Sequence, residues 1–262
     1  MRSAIKNGEL IKENEAVVPI TDQAIISNYS VYEALRVLGG KVVHLSDHIK
    51  RLEHSGETIG LRIPSVDWQS EIDKLIKKDN IGDATMRIVV YGTKEPLYFI
   101  TWHTILTYPD SYYEEGVATT LYFGERFLPT CKTSNLLVNY LARKTAEENG
   151  AFEALLVDRN NSILEGSRSN FYALKEGKVY TAGDDLVLDG ITRMSVIRAL
   201  KEEGVDIVFT PIKDKDVYSC DALFISATSM GAMSISSVNG KSVKTDFEFV
   251  KRICKKVREW EL

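Results

Sequence analysis

The segment between residues 131 and 170 constrains this chain of 262 residues more than any other. It opens with Cys-Lys-Thr-Ser-Asn-Leu-Leu at 131–137 and closes with Leu-Glu-Gly-Ser-Arg-Ser-Asn at 164–170. Lys132 stands just before an apolar pattern with helical spacing, and Glu165 follows a short apolar strand and precedes a turn of small polar residues. The pattern therefore predicts one lysine and one carboxylate that each lie at the end of a secondary-structure element.

A lysine and a carboxylate placed in this way suit an aldehyde that is carried on a pyridine ring. The amine can form a Schiff base with the aldehyde, and the carboxylate can keep the ring nitrogen protonated, so that the ring accepts electrons from a carbanion. On their own, the two residues also fit an ordinary solvated lysine and an ordinary turn carboxylate. The choice between these interpretations depends on the residues around them.

The residues around Lys132 resemble those of the class IV aminotransferases, the pyridoxal phosphate enzymes of fold type IV. That family includes D-amino acid aminotransferases, branched-chain aminotransferases and aminodeoxychorismate lyases. Lys-Thr-Ser-Asn-Leu-Leu-Val-Asn at 132–139 is similar to the lysine segment of the D-amino acid enzymes, and Gly-Ala-Phe-Glu-Ala-Leu-Leu-Val-Asp at 150–158 is what the family places next. The resemblance implies that the cofactor is pyridoxal 5'-phosphate and that Lys132 forms the Schiff base and moves the substrate proton.

The motif Glu-Gly-Ser-Arg-Ser-Asn that begins at Glu165 resembles the family's Glu-Gly-Ser/Thr-x-Ser-Asn. The resemblance implies that Glu165 binds the pyridine nitrogen. It also implies that Ser167, Ser169 and Asn170 hold the Glu165 carboxylate in place. The pattern does not fix Arg168, which is expected at the surface.

Binding of the cofactor's phosphate requires fixed donors. Gly-Ile-Thr at 190–192 begins a predicted helix, where unpaired backbone N–H groups and the helix dipole favour an anion. Helix starts are common, but Leu-x-Gly-Ile-Thr-Arg resembles a family motif, which implies that Ile191 and Thr192 bind the phosphate. Thr228, in Ile-Ser-Ala-Thr-Ser, is implied as a second contact.

Two arginines complete the expected cofactor site. Most arginines on helices are solvated, but Arg51, in His-x-x-Arg-Leu at 48–52, resembles the family's phosphate arginine. Arg126 lies shortly before Lys132, and a looser resemblance implies that it reaches the hydroxyl of the pyridine ring.

The substrate residues depart from those of the family. Tyr32, in Val-Tyr-Glu, matches an active-site tyrosine of the D-amino acid enzymes, which also trap the substrate carboxylate with an Arg-x-His pair on the loop after the next strand. This chain has Gly-Thr-Lys-Glu-Pro-Leu at 92–97 in that loop, without either residue. Leu137 stands where the branched-chain enzymes carry a tyrosine.

Arg87 is the remaining candidate for binding the substrate carboxylate. It alternates with Met86 and Ile88 in a predicted strand and so points to the opposite face of the sheet. An arginine can bind a carboxylate through two parallel hydrogen bonds. Arg87 could instead pair with an acidic residue at the domain interface, in which case backbone donors near Thr228 and Ser229 would bind the substrate carboxylate.

The composition excludes several classes of protein. The 33 basic and 37 acidic residues give a net charge of −4, without the basic block that is typical of nucleic-acid binding. The three cysteines are odd in number and unpatterned, which indicates reduced thiols in a cytoplasmic protein. No apolar signal core is found at the N-terminus and no run is long enough to span a bilayer. We therefore expect a cytoplasmic protein that binds neither nucleic acid nor membranes.

The order of the predicted elements gives an α+β protein of two domains with a cleft between them. A hairpin is predicted over 31–45, and two helices follow it with Ser46 and Ser65 as N-caps. Tyr108 to Gly116 has no hydrophobic period and is the predicted linker region.

We therefore divide the chain into an N-terminal domain (1–110), an interdomain linker (111–116) and a C-terminal domain (117–262). The resemblance implies a two-domain fold type IV pyridoxal phosphate enzyme. The smaller N-terminal domain would be α/β, the larger C-terminal domain would bind the cofactor and have a β-barrel-like core, and the active site would lie between them.

The resemblance implies a pyridoxal phosphate-dependent aminotransferase that moves an amino group between an amino acid and a 2-oxo acid such as 2-oxoglutarate or pyruvate. The lysine and glutamate segments favour the D-amino acid type, whereas the missing Arg-x-His pair argues against it. The alternatives are a branched-chain L-amino acid aminotransferase, an aminodeoxychorismate lyase, and a protein that binds the cofactor without catalysis. The resemblance also implies a homodimer, with small-molecule amino and 2-oxo acids as its other partners.

Overall fold

The computed structural model describes residues 2–261, which form two compact units. The first unit comprises the described chain up to Leu106 together with Cys131–Asn135, and the second comprises Thr107–Thr130 and the described chain from Leu136 onward. Within residues 2–261, no helix has both the length and the apolar character needed to cross a membrane. The domain bounds at residues 110 and 117 stay a prediction.

The first unit is an antiparallel six-stranded sheet with helices packed on one face. The strands lie in the order β2-β1-β6-β5-β3-β4. Its elements are β1 (Ser3–Lys6), β2 (Glu9–Lys12), α1 (Gln23–Ile26), β3 (Ser30–Leu38), β4 (Lys41–Val42), α2 (Leu45–Thr58), α3 (Trp68–Asp79), β5 (Ala84–Tyr91) and β6 (Leu97–Thr104).

Strand β3 shows how alternation in the sequence produces this sheet. Val31, Leu35 and Val37 are buried on the face that the helices cover, while Tyr32 lies on the other face and is only half-buried. Burying one such apolar side chain contributes about 1.5–3 kcal/mol. Glu33 is also on the covered face, where an alternating strand normally places an apolar residue. The helices add Leu52, Ile72 and Leu75 to this core.

Both helix starts differ from the prediction. Ser46 lies inside α2, which follows His44. Helix α3 uses Asp67 as its N-cap, and the Asp67 carboxylate accepts a hydrogen bond from the N–H of Ser70 at 3.0 Å. Ser65 therefore lies outside the helix. Serine and aspartate are comparable N-caps, so sequence preference alone does not choose between them.

The second unit is built on a closed barrel of six strands, which confirms the predicted barrel-like core. The ring runs β10-β13-β14-β7-β8-β9, and β9 closes on β10 through the pair Glu165 and Asn170. The elements are α4 (Asp110–Glu114), β7 (Val117–Phe123), α5 (Leu137–Glu148), β8 (Glu153–Val157), β9 (Ile163–Gly166), β10 (Asn170–Lys175), β11 (Lys178–Tyr180), α6 (Ile191–Glu202), β12 (Asp206–Val208), β13 (Ala222–Ala227), β14 (Gly231–Val238), β15 (Lys241–Ser242) and α7 (Phe247–Glu259).

Several barrel strands are buried on both faces. In β10, Phe171 and Ala173 pack in the same apolar cluster as Met233, while Tyr172 packs in the cluster that α6 and α7 share. The Tyr172 ring stacks on the ring of Phe224, with centroids 4.5 Å apart and an interplanar angle of 9°. Apolar residues therefore follow one another without alternation in such strands.

Two elements of the second unit were not predicted. Helix α4 lies within the segment from Tyr108 to Gly116, which was predicted to be irregular. Strand β14 runs through Gly-Ala-Met-Ser-Ile-Ser-Ser-Val, a sequence of mostly small residues that we did not interpret as a strand. Its central position in the barrel, between β13 and β7, explains why small residues are accommodated there.

We predict different costs for two leucine truncations in the first unit. Leu75 is fully buried in the core beneath α3, so Leu75→Ala should lower the free energy of unfolding by about 2–5 kcal/mol. Leu10 in edge strand β2 is 44% exposed, and Leu10→Ala should cost less than about 1 kcal/mol. Denaturant titration of both variants measures these values, and equal losses would contradict the packing described.

Candidate active site

Lys132 lies on a backbone segment that pairs with the edge of the first unit's sheet. The N–H of Tyr32 donates to the carbonyl oxygen of Lys132 at 3.0 Å, and the N–H of Ser134 donates to the carbonyl oxygen of Ser30 at 3.1 Å. From helix α2, the hydroxyl oxygen of Ser55 accepts the N–H of Lys132 at 3.0 Å. Both backbone polar groups of Lys132 are therefore fixed, and its side chain starts from a rigid support.

The ring of Tyr32 lies beside two cationic groups. Its centroid is 4.8 Å from Lys132 Nζ and 4.6 Å from the guanidinium carbon of Arg87. Arg87 on β5 is opposite Ala34 on β3, so Arg87 and Tyr32 are diagonal neighbours on the same face of the sheet. The structure thus brings together the predicted Schiff-base lysine and two of the residues predicted to bind substrate.

Arg87 points away from the core of the first unit. Met86 and Ile88 are fully buried on the covered face, and Arg87 is exposed on the other face, as predicted from the alternation. Within residues 2–261, no salt bridge joins Arg87 to a carboxylate of its own unit, and the alternative of an acidic partner at the domain interface stays a prediction.

Arg51, the predicted phosphate arginine, lies against a carboxylate that sequence reasoning missed. Its Nε donates to Glu33 Oε1 at 2.8 Å and its Nη2 donates to Glu33 Oε2 at 2.7 Å. His48 Nδ1 lies 2.7 Å from the same Oε2. The Glu33 and His48 side chains are fully buried and that of Arg51 is 10% exposed. His48 and Arg51 are three residues apart on α2, so both face Glu33.

The charge states of this cluster follow from its contacts. Burial alone would raise the pKa of Glu33, but the hydrogen bonds and charge of Arg51, the hydrogen bond of His48 and the charge of Lys132 lower it to about 2. Burial lowers the pKa of His48, and the positive charges of Arg51 and Lys132 lower it further. The hydrogen bond and negative charge of Glu33 raise it, but the net shift is downward. At neutral pH, Glu33 is therefore anionic and His48 is a neutral donor.

Glu165 and Arg126 form the corresponding pair in the second unit. Arg126 Nη1 lies 3.4 Å from Glu165 Oε1 and donates to the carbonyl oxygen of Pro129 at 2.9 Å. Both side chains are more than nine-tenths buried. They line a cavity of about 340 Å³, within the range of small-molecule sites. The remaining walls are mostly apolar and include Phe127, Leu128, Leu156, Leu164 and Leu186.

The serines of the Glu-Gly-Ser-Arg-Ser motif hold a different carboxylate from the one predicted. The hydroxyls of Ser167 and Ser169 both donate to Glu153 on the neighbouring strand β8. A Cβ on Gly166 would overlap the Ser169 hydroxyl, which explains the glycine of the motif. The prediction that Ser167 and Ser169 hold Glu165 is therefore wrong. They instead hold Glu153 and stabilise the β8–β9 end of the barrel.

Arg168 is more buried than the expected surface position. Its guanidinium lies 4.8 Å from the centroid of the Phe152 ring, donates to the Phe152 carbonyl oxygen at 3.2 Å, and is 3.7 Å from a Glu153 oxygen. Its side chain is 28% exposed. Arg168 thus covers the Glu153 carboxylate from the outside.

Asn170 connects the Glu165 strand to the start of helix α6. It is paired with Glu165 across β9 and β10, and its Nδ2 donates to the carbonyl oxygen of Leu188 at 3.0 Å. A Cβ on Gly190 would overlap the Asn170 side chain, so a glycine is needed for this close approach. The structure therefore brings Glu165 and the predicted phosphate residues of α6 to the same side of the second unit's barrel.

The start of α6 has the features of an anion site. Its N-cap Gly190 has no side chain to satisfy the first backbone N–H groups. Ile191 and Thr192 are buried in its first turn. Thr228 and Ser229 lie in the turn between β13 and β14, where Arg258 donates to both of their carbonyl oxygens. The carbonyl oxygens of this turn are thus held by the protein itself.

Comparison with known proteins gives the family. A sequence model of class IV amino-transferases matches residues 30–238. A D-alanine aminotransferase of Bacillus licheniformis is 28% identical over 251 residues, which cover 90% of this chain and 88% of that protein. A putative branched-chain-amino-acid aminotransferase of Methanocaldococcus jannaschii is 28% identical over 274 residues, covering 97% and 93%.

Solved structures share the fold. The branched-chain aminotransferase of Thermoproteus uzoniensis with norvaline superposes with a TM-score of 0.89 at 22% identity and covers 98% of this chain and 94% of its own. A hypothetical aminotransferase from Mycobacterium tuberculosis, with alpha-ketoglutarate and PMP bound, has a TM-score of 0.87 at 16% identity and covers 99% and 98%. The fold type IV architecture expected from the sequence is thus confirmed. The chain belongs to the class IV aminotransferases, which use pyridoxal 5'-phosphate to exchange amino groups between amino acids and 2-oxo acids.

Proposed function

We propose that this aminotransferase acts on D-amino acids and passes the amino group to a 2-oxo acid such as 2-oxoglutarate or pyruvate. The observation that carries the proposal is the placement of the Lys132 amine and the Arg87 guanidinium beside the Tyr32 ring. The similarity to D-alanine aminotransferases supports the choice of donor. The 2-oxo acid bound in the Mycobacterium tuberculosis protein supports the choice of acceptor.

The described side chains fit the cofactor. The start of α6, uncapped by a side chain, suits a phosphate, and the Glu165 carboxylate beside an apolar cavity suits a protonated ring nitrogen. When bound, pyridoxal 5'-phosphate supplies an electron-accepting ring that stabilises a carbanion at the substrate α-carbon. The residues that we assign to holding it are Lys132, Glu165, Asn170, Arg126, Arg51, Ile191, Thr192 and Thr228.

In the proposed reaction, Lys132 is the proton-transfer group. Its Nζ takes the proton from the substrate α-carbon and later returns a proton, and the fixed Lys132 backbone limits where this nitrogen can move. The ring of Tyr32 forms an apolar wall next to this nitrogen, and a nearby aromatic ring also favours cations by about 0.5–1 kcal/mol. The Arg87 guanidinium lies beside the same ring, which supports the proposal that the substrate carboxylate binds close to the lysine amine.

Arg87 is proposed to bind the substrate carboxylate. A carboxylate that enters a water-poor site needs a matching charge, because an unpaired charge is costly to bury. Arg87 has no salt-bridge partner among residues 2–261 and lies on the same sheet face as Tyr32. It would bind either the α-carboxylate of the donor or the distal carboxylate of a dicarboxylic acceptor through a two-pronged pair.

A branched-chain L-amino acid preference is the second candidate. The similarity to the putative Methanocaldococcus jannaschii enzyme supports it. Against it, Leu137 stands where the branched-chain enzymes carry a tyrosine, and its side chain is 64% exposed. The D-amino acid proposal is therefore preferred. An aminodeoxychorismate lyase activity would be recognised by release of pyruvate in the absence of a 2-oxo acid acceptor.

We also propose that the enzyme is a cytoplasmic homodimer. Helix α5 carries a row of exposed apolar side chains, which supports an interface on the second unit, and exposed apolar patches commonly mark such surfaces. The exposed apolar residues of this row are Leu137, Tyr140 and Leu141.

Chirality and the role of Arg87 can be tested in one panel. Purified enzyme with bound cofactor is mixed with single enantiomers of alanine, leucine, glutamate and aspartate, and the change in cofactor absorbance is followed. We expect the D-enantiomers to react faster. Arg87→Ala should reduce reaction by about tenfold or more, because the charged partner of the carboxylate is lost, and Arg87→Lys should recover part of it. If Arg87→Ala reacted with every acid as fast as the parent enzyme does, the substrate carboxylate would instead be bound by backbone donors near Thr228 and Ser229.

We predict that Glu165 contributes to the chemical step and is not needed for cofactor binding. Glu165→Gln should still bind the cofactor but should lower the single-turnover rate by about 10²-fold, since it removes charge that acts on the developing carbanion. Glu125→Gln is the matched control, because Glu125 lines the same cavity but pairs with the exposed Arg159. Near-normal single-turnover rates in Glu165→Gln would show that another group acts on the ring nitrogen.

A further inference from the structure

The most unusual buried group in the first unit is the carboxylate of Glu33. Strand β3 presents Val31, Leu35 and Val37 to the same core, so Glu33 occupies an apolar row. A charge in such a place is strongly destabilising unless it is paired. The packing of the sheet therefore does not explain why a glutamate stands at this position.

The contacts of Glu33 fix the side chain of Arg51, which we assign to binding the cofactor's phosphate. Oε1 accepts from Arg51 Nε, and Oε2 accepts from Arg51 Nη2 and lies 2.7 Å from His48 Nδ1. Two parallel bonds to the Nε edge define the plane of a guanidinium, not only its position. His48 Nδ1 lies within hydrogen-bond distance of Oε2 as well, so the carboxylate cannot rotate without breaking a buried hydrogen bond.

We propose that Glu33 is a positioning residue that holds the Arg51 guanidinium in the orientation needed to bind a phosphate. This inference rests on the proposed role of Arg51 in binding the cofactor's phosphate. In this role Glu33 acts through Arg51. Its effect is therefore specific for ligands that carry the phosphate.

Glu33 has two opposing effects on a phosphate. Its negative charge repels the ligand, while its hydrogen bonds hold the arginine ready. The repulsion is small because the charge is compensated within the cluster by the two-pronged pair with Arg51. Without Glu33, Arg51 would lose this two-pronged pair, so the ligand would have to supply more of the order of its guanidinium, and ordering a long side chain weakens binding. The positioning effect therefore exceeds the repulsion.

The test compares two ligands that differ only in the phosphate. Cofactor-free full-length protein is titrated with pyridoxal 5'-phosphate and, separately, with pyridoxal, and dissociation constants are measured by quenching of tryptophan fluorescence. Glu33→Gln should weaken binding of pyridoxal 5'-phosphate by about tenfold, because the glutamine amide cannot accept both arginine bonds. Pyridoxal should bind to this variant within about twofold of its affinity for the parent. Unchanged or tighter binding of pyridoxal 5'-phosphate would overturn the proposal.

A matched control comes from the same unit. Glu71 is another buried carboxylate, which pairs with Lys74 on α3. Glu71→Gln should leave the ratio of the two dissociation constants unchanged. If the ratio of the two dissociation constants changed equally in Glu33→Gln and Glu71→Gln, the effect would come from a general loss of packing, and the positioning role would be overturned.

A second variant keeps the test decisive if Glu33→Gln does not fold. Arg51→Lys keeps the positive charge but cannot form the two-pronged pair with Glu33. The proposal predicts a phosphate-specific loss here too, whereas parent-like binding would show that charge alone is sufficient and would overturn it. If the parent bound both ligands with equal affinity, Arg51 would not contribute to phosphate binding and the proposal would be overturned. Failure of the parent to bind either ligand would instead contradict the proposed function.

Discussion

The arrangement of the candidate site depends on the backbone pairing between strand β3 and the segment that carries Lys132. The N–H of Tyr32 donates to the Lys132 carbonyl oxygen, while Ser55 accepts the Lys132 N–H. One residue of β3 thus both fixes the lysine backbone and supplies the ring beside the lysine amine. Because side chains alternate along a strand, the next residue, Glu33, lies on the opposite face and meets Arg51.

Each unit contains a buried carboxylate that is paired with an arginine. Glu33 pairs with Arg51 in the first unit, and Glu165 pairs with Arg126 in the second. Buried pairs contribute little net stability, but removing one partner is costly, so such pairs restrict where a charged side chain can lie. Arg87 differs from these arginines, since it has an exposed position and no salt-bridge partner within residues 2–261. This contrast underlies its proposed role with substrate.

Features that depend on local pattern were predictable from the sequence, and those that depend on distant contacts were not. Alternation around Arg87 correctly predicted which face it occupies. The alternation along β3 already places Glu33 on the covered face, but its partners His48 and Arg51 come from a helix that follows later in the chain, so the cluster was missed. The serines at 167 and 169 were assigned to Glu165 because the motif places them together, whereas both of their hydroxyls donate to Glu153 on the neighbouring strand. The substrate preference was left open for the same reason, since it depends on pocket shape.

The central claim is that Lys132, held on the edge of the sheet, is the lysine that binds the cofactor. Borohydride reduction of the cofactor-loaded enzyme, followed by peptide mass spectrometry, tests it most directly. We expect a stable label on the peptide that contains Lys132, retained in a Lys144→Ala control and lost in Lys132→Ala. Lys144 is exposed on helix α5. A label on any other lysine of the native protein, or one that persists in Lys132→Ala, would contradict the account.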